Sequence, residues 1–278
     1  MSLLPGSKKK FRVFSSAVSI TLMLIVSAFL FANFIAPYDP TELAVAPPFS
    51  SPSWAHFFGT DELGRDSFSR NLHGGRITVL ISVLAAIVAL FLGTLWGFAA
   101  GIFKGWIDEV LMRTADAVMA IPALLFALVC ISGLGATFVT LTLVAGILLS
   151  PATARMARSA LLVEISMDYF TAGIASGLSK WKLISNEVLP NVTSQLLVQF
   201  SINAASAVML EAALSFIGLG VQPPSASLGT LILQGYAKIY NSYWYVIFPS
   251  ILVVLIILLF NAMAEKVRVS MESDKSTS

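Results

Sequence analysis

The chain has 278 residues, 57% hydrophobic and only 12% charged, with a formal net charge of +2. An ordinary soluble domain carries about twice that charged fraction, so the composition excludes one and points to a polytopic membrane protein. Basic residues are few and not clustered with aromatics, which argues against nucleic-acid binding, and the single Cys130 excludes an intrachain disulfide.

Residues 1–12 form a basic tail with Lys8, Lys9, Lys10 and Arg12. The apolar run over 13–36 is too long for a signal-peptide core of about 7–15 residues and lacks a clear A-x-A site, so it reads as a retained first span. A polar, Pro-rich excursion over 37–76 follows, within which 65–72 has the spacing of a short amphipathic helix with Phe68 and Leu72 on one side. The second span covers 77–103. In it Ala89, Gly93, Gly97 and Gly101 recur every four residues, a small-residue stripe that lets another helix approach closely in lipid. After a polar turn at 104–113, a third span covers 115–134, with a kink at Pro122 and a tight turn at Gly133 and Gly135. The fourth, 137–157, is broken by Pro151 and leads through Arg155 and Arg158 into a polar loop.

That loop, 168–191, is the most patterned stretch of the chain. Residues before Gly177 can form a short helix that ends there, because glycine accepts the left-handed conformation. Ser179 can cap a second helix over 180–188, in which Trp181, Ile184 and Val188 share one face. The result is a helical hairpin with an apolar face. Periodicity alone leaves two readings open: a helix lying on lipid, or a docking element for another protein.

The fifth span, 196–219, is small and polar enough to be buried or to line a pathway. Asn203, Ser206 and Glu211 are its candidates for pathway or gating contacts. A carboxylate in mid-span normally faces the bundle interior or water, so Glu211 either shapes a pathway or hydrogen-bonds a neighbouring helix. The sixth span, 243–264, opens with Trp244 and Tyr245 as interface anchors, and 265–278 is a polar tail. Six spans put both termini on one side. That side carries thirteen Lys and Arg, against Arg65, Arg70, Arg76 and Lys238 on the other, so the termini and the 168–191 loop are expected in the cytoplasm.

Two motifs carry a resemblance. In the loop, Thr171, Ala172, Gly173, Gly177, Leu189 and Pro190 stand in register with the EAA loop of ABC-importer permeases (E-A-A, three residues, G, nine residues, an often apolar position, any residue, L-P). Thr171 replaces the glutamate, Gly173 the second alanine and Glu187 the often apolar position. Ahead of the second span, Gly59-Thr60-Asp61, Leu63-Gly64-Arg65-Asp66 and Ser69-Arg70 resemble a signature of the C-type permease of peptide and nickel importers. The stretch Glu211 to Pro224 resembles that permease too.

The resemblance implies an all-α bundle whose loop couples to an ATPase through Thr171, Ala172, Gly173, Gly177, Leu178, Trp181, Ile184, Leu189 and Pro190. It implies a heterodimer with a homologous B-type permease, two cytoplasmic ATPase subunits that hold ATP and Mg, and an external substrate-binding protein, in the bacterial inner membrane. Peptides are the expected cargo, with nickel or a metal chelate as the alternative. No cofactor, catalytic set or metal site is expected on this chain: it has no GxxxxGK[ST] phosphate loop, and His56 and His73 read as surface residues. A different class, a self-sufficient transporter using Glu211 as an ion site, would call for inverted repeats, and none is evident.

Overall fold

The computed structural model describes residues 20–275; the basic tail and the first residues of the expected first span, 13–19, lie outside the described residues. The described chain is helical, with one isolated bridge between Thr60 and Asp66. Its helices are α1 (Ile20–Leu30), α2 (Ala32–Ile35), α3 (Ser67–Phe103), α4 (Gly105–Ala120), α5 (Ala123–Leu134), α6 (Phe138–Glu164), α7 (Asp168–Ala175), α8 (Lys180–Leu183), α9 (Leu189–Phe216), α10 (Leu228–Ala237) and α11 (Trp244–Lys275). Among the described residues four helical runs are long and apolar enough to cross a membrane: Ser67–Phe103, Phe138–Glu164, Lys180–Phe216 and Trp244–Met271. The bent pair α4–α5 makes a fifth if it is one span.

Several elements differ from what spacing predicts. The short amphipathic helix expected at 65–72 is not separate: Asp66 caps α3, accepting from Ser69 N at 2.8 Å, and the helix runs unbroken from Ser67 through the second span. The polar turn at 104–113 is itself mostly helix, and the third span is broken, not kinked. α4 ends at Ala120, Ile121 is extended ahead of Pro122, and α5 leaves at 87°. A residue before proline is pushed out of the helical region, which places the break there. The fourth span does the opposite and continues through Pro151 to Glu164. Pro151 frees the carbonyl of Ile147, and the Ser150 hydroxyl donates to that same oxygen at 2.8 Å, so the lost bond is replaced locally.

The centre of the bundle is the α3–α6 pair, where Gly93, Gly97 and Gly101 meet α6. A Cβ on Gly93 would lie 2.6 Å from Ser150 O, one on Gly101 2.8 Å from Leu161 Cδ2, and one on Gly97 2.8 Å from Arg158 N. α11 and α1 close the opposite side, with Phe29, Val79, Val208, Leu231 and Ile256 in one core.

The polar segment ahead of α3 is knotted to the bundle. Asp61, wholly buried, accepts from Leu63 N (2.8 Å), Arg65 N (2.9 Å), Arg65 Nε (2.6 Å) and the Arg70 guanidinium. Arg70 also donates to Tyr245 Oη and Gln234 Oε1, each at 3.1 Å. Asp66 holds His56 Nδ1 at 2.9 Å. The Thr-Asp…Arg-Asp…Ser-Arg signature is thus a set of buried ion pairs and caps that staples the segment ahead of α3 to α3, α10 and α11. Tyr245, expected as an interface anchor, is buried in that network, and His56, expected on the surface, is buried against Asp66.

Candidate functional site

Two places merit a site reading: the hairpin between α6 and α9, and the buried carboxylate of α9.

The hairpin begins where α6 ends at Glu164. α7 closes in a turn in which Leu178 N bonds Gly173 O at 3.1 Å and Gly177 takes φ +84. Nothing lies within 4 Å of where a Gly177 Cβ would be, so glycine serves the left-handed backbone there and not a close approach. Close approach is the role of Gly173, whose Cβ would sit 2.6 Å from Leu183 Cδ2; the two arms pack at that point. Ser179 caps α8, accepting from Lys182 N at 3.3 Å.

The second arm is not a separate helix. α8 passes through a π-turn, Ile184–Val188, directly into α9. Leu189 N donates to Ile184 O, five residues back. A proline at 190 clashes with the carbonyl four residues earlier in a regular helix, and a widened turn relieves that clash. The extra residue also changes which side chains face inward. Leu183, Ile184 and Val188 are buried, while Trp181, expected on the face of Ile184 and Val188, points outward and is 63% exposed.

The base of the hairpin is firm. Val188, Val192 and Leu196 pack on Ala157, Ala160 and Leu161 of α6, with Phe170 of α7 alongside. Glu164 accepts from Tyr169 Oη at 2.7 Å and from Asn191 Nδ2 at 3.1 Å, tying α6, α7 and α9 together. Burial, reinforced by that bond to Glu164, pushes the Tyr169 hydroxyl up to about 12, so it remains a donor at neutral pH. Sequence spacing missed this clamp. The tip, by contrast, is apolar and open: Ile174, Leu178 and Trp181 are exposed, beside Thr171 and Ala172, while Leu189 and Pro190, expected with them, lie exposed at the start of α9 next to the buried Val188. Thr171, where the motif has its acid, has no side-chain hydrogen bond among the described residues.

Glu211 sits elsewhere, between α3, α9 and α10, and is 1% exposed. It accepts from Ser215 Oγ at 2.6 Å and Thr78 Oγ1 at 3.1 Å. Thr78 Oγ1 in turn accepts from Leu228 N at 3.0 Å, and Ser215 touches Ser227, the cap of α10, at 3.1 Å. The carboxylate therefore joins α3, the C-terminal end of α9 and the N-terminus of α10 through hydroxyls that spacing did not single out. Asn203 is likewise buried and donates to Thr153 Oγ1 at 2.9 Å, while Ser206 on the same helix is half-buried.

This geometry yields a prediction. Glu211→Gln keeps a hydrogen-bonding group against hydroxyls that can rotate, and is expected to leave membrane abundance and transport near the parent level. Glu211→Leu leaves the buried Thr78 hydroxyl without an acceptor, at about 1–3 kcal/mol, and leaves Ser215 with Ser227 alone; it is expected to lower the melting temperature in detergent and the abundance. If Glu211→Gln abolished transport at normal abundance, Glu211 would be a proton site and not a structural acceptor.

Residues 89–271, more than half of the chain, match the family described as binding-protein-dependent transport system inner membrane component. The chain is 36% identical over 253 residues to a di/tripeptide transport system permease protein of Pseudomonas aeruginosa, covering 89% of this chain and 84% of that one. It is 35% identical over 254 residues to a probable D,D-dipeptide transport system permease protein of Escherichia coli (91% and 85% covered). A glutathione transport system permease protein of Pectobacterium atrosepticum is 30% identical over 253 residues (91% and 84%). Among solved structures, a chain of an inward-facing MetNI methionine ABC transporter superposes with a TM-score of 0.55 at 18% identity, over 69% of this chain and 93% of that one. That likeness speaks to the fold.

Proposed function

Because the chain belongs to the family of binding-protein-dependent transport system inner membrane components and is a permease subunit of an ABC importer, we propose that its cargo is peptides and that the Asp168–Asn191 hairpin carries ATP-driven motion into the membrane. One observation carries this reading: an open apolar tip, Leu178 and Trp181, stands on a base locked into α6 and α9. A contiguous exposed apolar patch of that kind marks an interaction surface, and we read it as the one that meets the ATPase. A push on the tip passes along one helical run, Lys180–Phe216, to the far end of the bundle.

The arrangement we propose has six spans and both termini in the cytoplasm. α1 would continue upstream to residue 13, and α4–α5 would form one bent span. The basic excess on the hairpin side supports the orientation. The partners are a homologous permease, two ATPase subunits at the hairpins and an external substrate-binding protein. ATP and Mg belong to the ATPases; this chain takes no cofactor and hydrolyses nothing. The pathway runs past α9 at Ser206, with Asn203 and Glu211 holding its wall from behind. Peptide cargo is supported by the di/tripeptide and D,D-dipeptide permeases that the chain resembles over most of its length.

Purification of the tagged chain from its own membrane in mild detergent tests the partner set. A second permease and ATPase subunits are expected to co-elute. A solitary chain that transports when reconstituted alone with an ion gradient would overturn the proposal.

A further inference from the structure

At the end of the bundle away from the hairpin lie four basic residues. Three are paired: Arg65 and Arg70 with Asp61, and Lys238 with Glu62 at 3.7 Å. Arg76 has no carboxylate partner among the described residues. Its one hydrogen bond is a long one, 3.4 Å from Nη1 to Asn33 Oδ1. His73, one turn earlier on α3, reaches the same oxygen through Nε2 at 3.0 Å. The Arg76 guanidinium is solvent-accessible and free to take an anionic ligand.

Arg76 and His73 line a cavity of about 390 Å³ together with Thr41, the paired Arg70 and Ser225, and Ile77, Leu80 and Phe138 give it an apolar side. That side does not end there. Leu84, Ile87 and Phe91 follow Ile77 and Leu80 at helical spacing down α3, and all three are exposed. From Ile77 to Phe91 the helix rises about 21 Å, more than the roughly 15 Å of hydrocarbon in one leaflet. Below the cavity the stripe offers a polar cargo no hydrogen-bonding side chain, whereas an acyl chain needs none. A cationic end above a long apolar groove matches the two halves of a lipid.

We propose that this groove holds one anionic phospholipid, its phosphate on Arg76 and His73 and one acyl chain along Ile77, Leu80 and Leu84. Arginine suits the site because its planar fork can bind two phosphate oxygens at once. The lipid would fill the gap between α3 and the start of α6.

The test uses the full chain, purified with the subunits that co-elute, depleted of lipid and placed in nanodiscs of mixed phosphatidylglycerol and phosphatidylethanolamine. Native mass spectrometry then reads what stays bound. One phosphatidylglycerol per copy is expected, in preference to phosphatidylethanolamine. Arg76→Gln is expected to reduce it about tenfold, the scale of a charge-assisted hydrogen bond, with unchanged membrane abundance. Arg76→Lys is expected to restore much of it, since lysine still binds phosphate as a point charge. Equal retention by the parent and Arg76→Gln, or equal retention of both lipids, would overturn the proposal. So would retention of a dipeptide in place of lipid, lost when its carboxylate is amidated, which would assign the groove to cargo.

Discussion

Gly97→Val is expected to remove most of the protein from the membrane. The place of Gly97 on α3 lets Ala154 O and Arg158 N of α6 come close enough that a Cβ would fall inside contact distance of both. Both atoms are backbone, so no rotamer change makes room and the helices have to separate. Overpacking costs about 1–3 kcal/mol where side chains can yield, and the cost is higher where they cannot. Losses of this size lower cellular abundance several-fold or more. Gly101 faces the Leu161 side chain, which can move, so Gly101→Ala is expected to cost much less. Gly133→Ala is the internal control: Gly133, expected in a turn with Gly135, lies in the last turn of α5, nothing is within 4 Å of its Cβ position, and alanine favours a helix over glycine by up to about 1 kcal/mol. Immunoblots of washed membranes give the ranking, with Gly133→Ala at or above the parent, Gly101→Ala next and Gly97→Val lowest.

Much of this molecule is readable from residue order, because lipid leaves few options for a backbone. The small-residue stripe predicts a helix contact, and α6 supplies it at Gly93, Gly97 and Gly101. The Ser179 cap and the turn at Gly177 are local chemistry, and local spacing finds them. What escapes spacing depends on atoms far apart in sequence or on one substituted bond. Pro151 reads as a break, yet the Ser150 hydroxyl replaces the missing donor and the helix continues. Residues 180–188 read as a separate helix, yet a π-turn joins them to α9 and leaves Trp181 facing outward. Tyr245 reads as an interface residue until Arg70, 175 positions earlier, is found against its hydroxyl. Glu211 is conspicuous by its charge, but nothing in its own helix names Thr78 on α3 as its partner.

Trp181 is where the functional claim is most exposed. It is the largest side chain at the tip, it is 63% exposed, and its outward turn leaves the buried base of Leu183, Ile184 and Val188 independent of it. Truncation to alanine therefore leaves folding alone. At an interface with an ATPase, a tryptophan anchor is worth about 2 kcal/mol or more when truncated, a loss of roughly thirtyfold in the coupled state. Leu178, beside it, adds to the same surface, so the double variant is expected to be lower still.

The decisive measurement is initial uptake of a radiolabelled dipeptide by cells whose only copy of this permease carries Trp181→Ala and Leu178→Ala, normalised to the amount of chain in the membrane. The account predicts normal membrane abundance with uptake reduced at least tenfold, and ATP hydrolysis by the purified complex no longer stimulated by the loaded binding protein. Uptake at the parental rate with normal abundance would contradict it, and would leave the hairpin as a structural connection between α6 and α9.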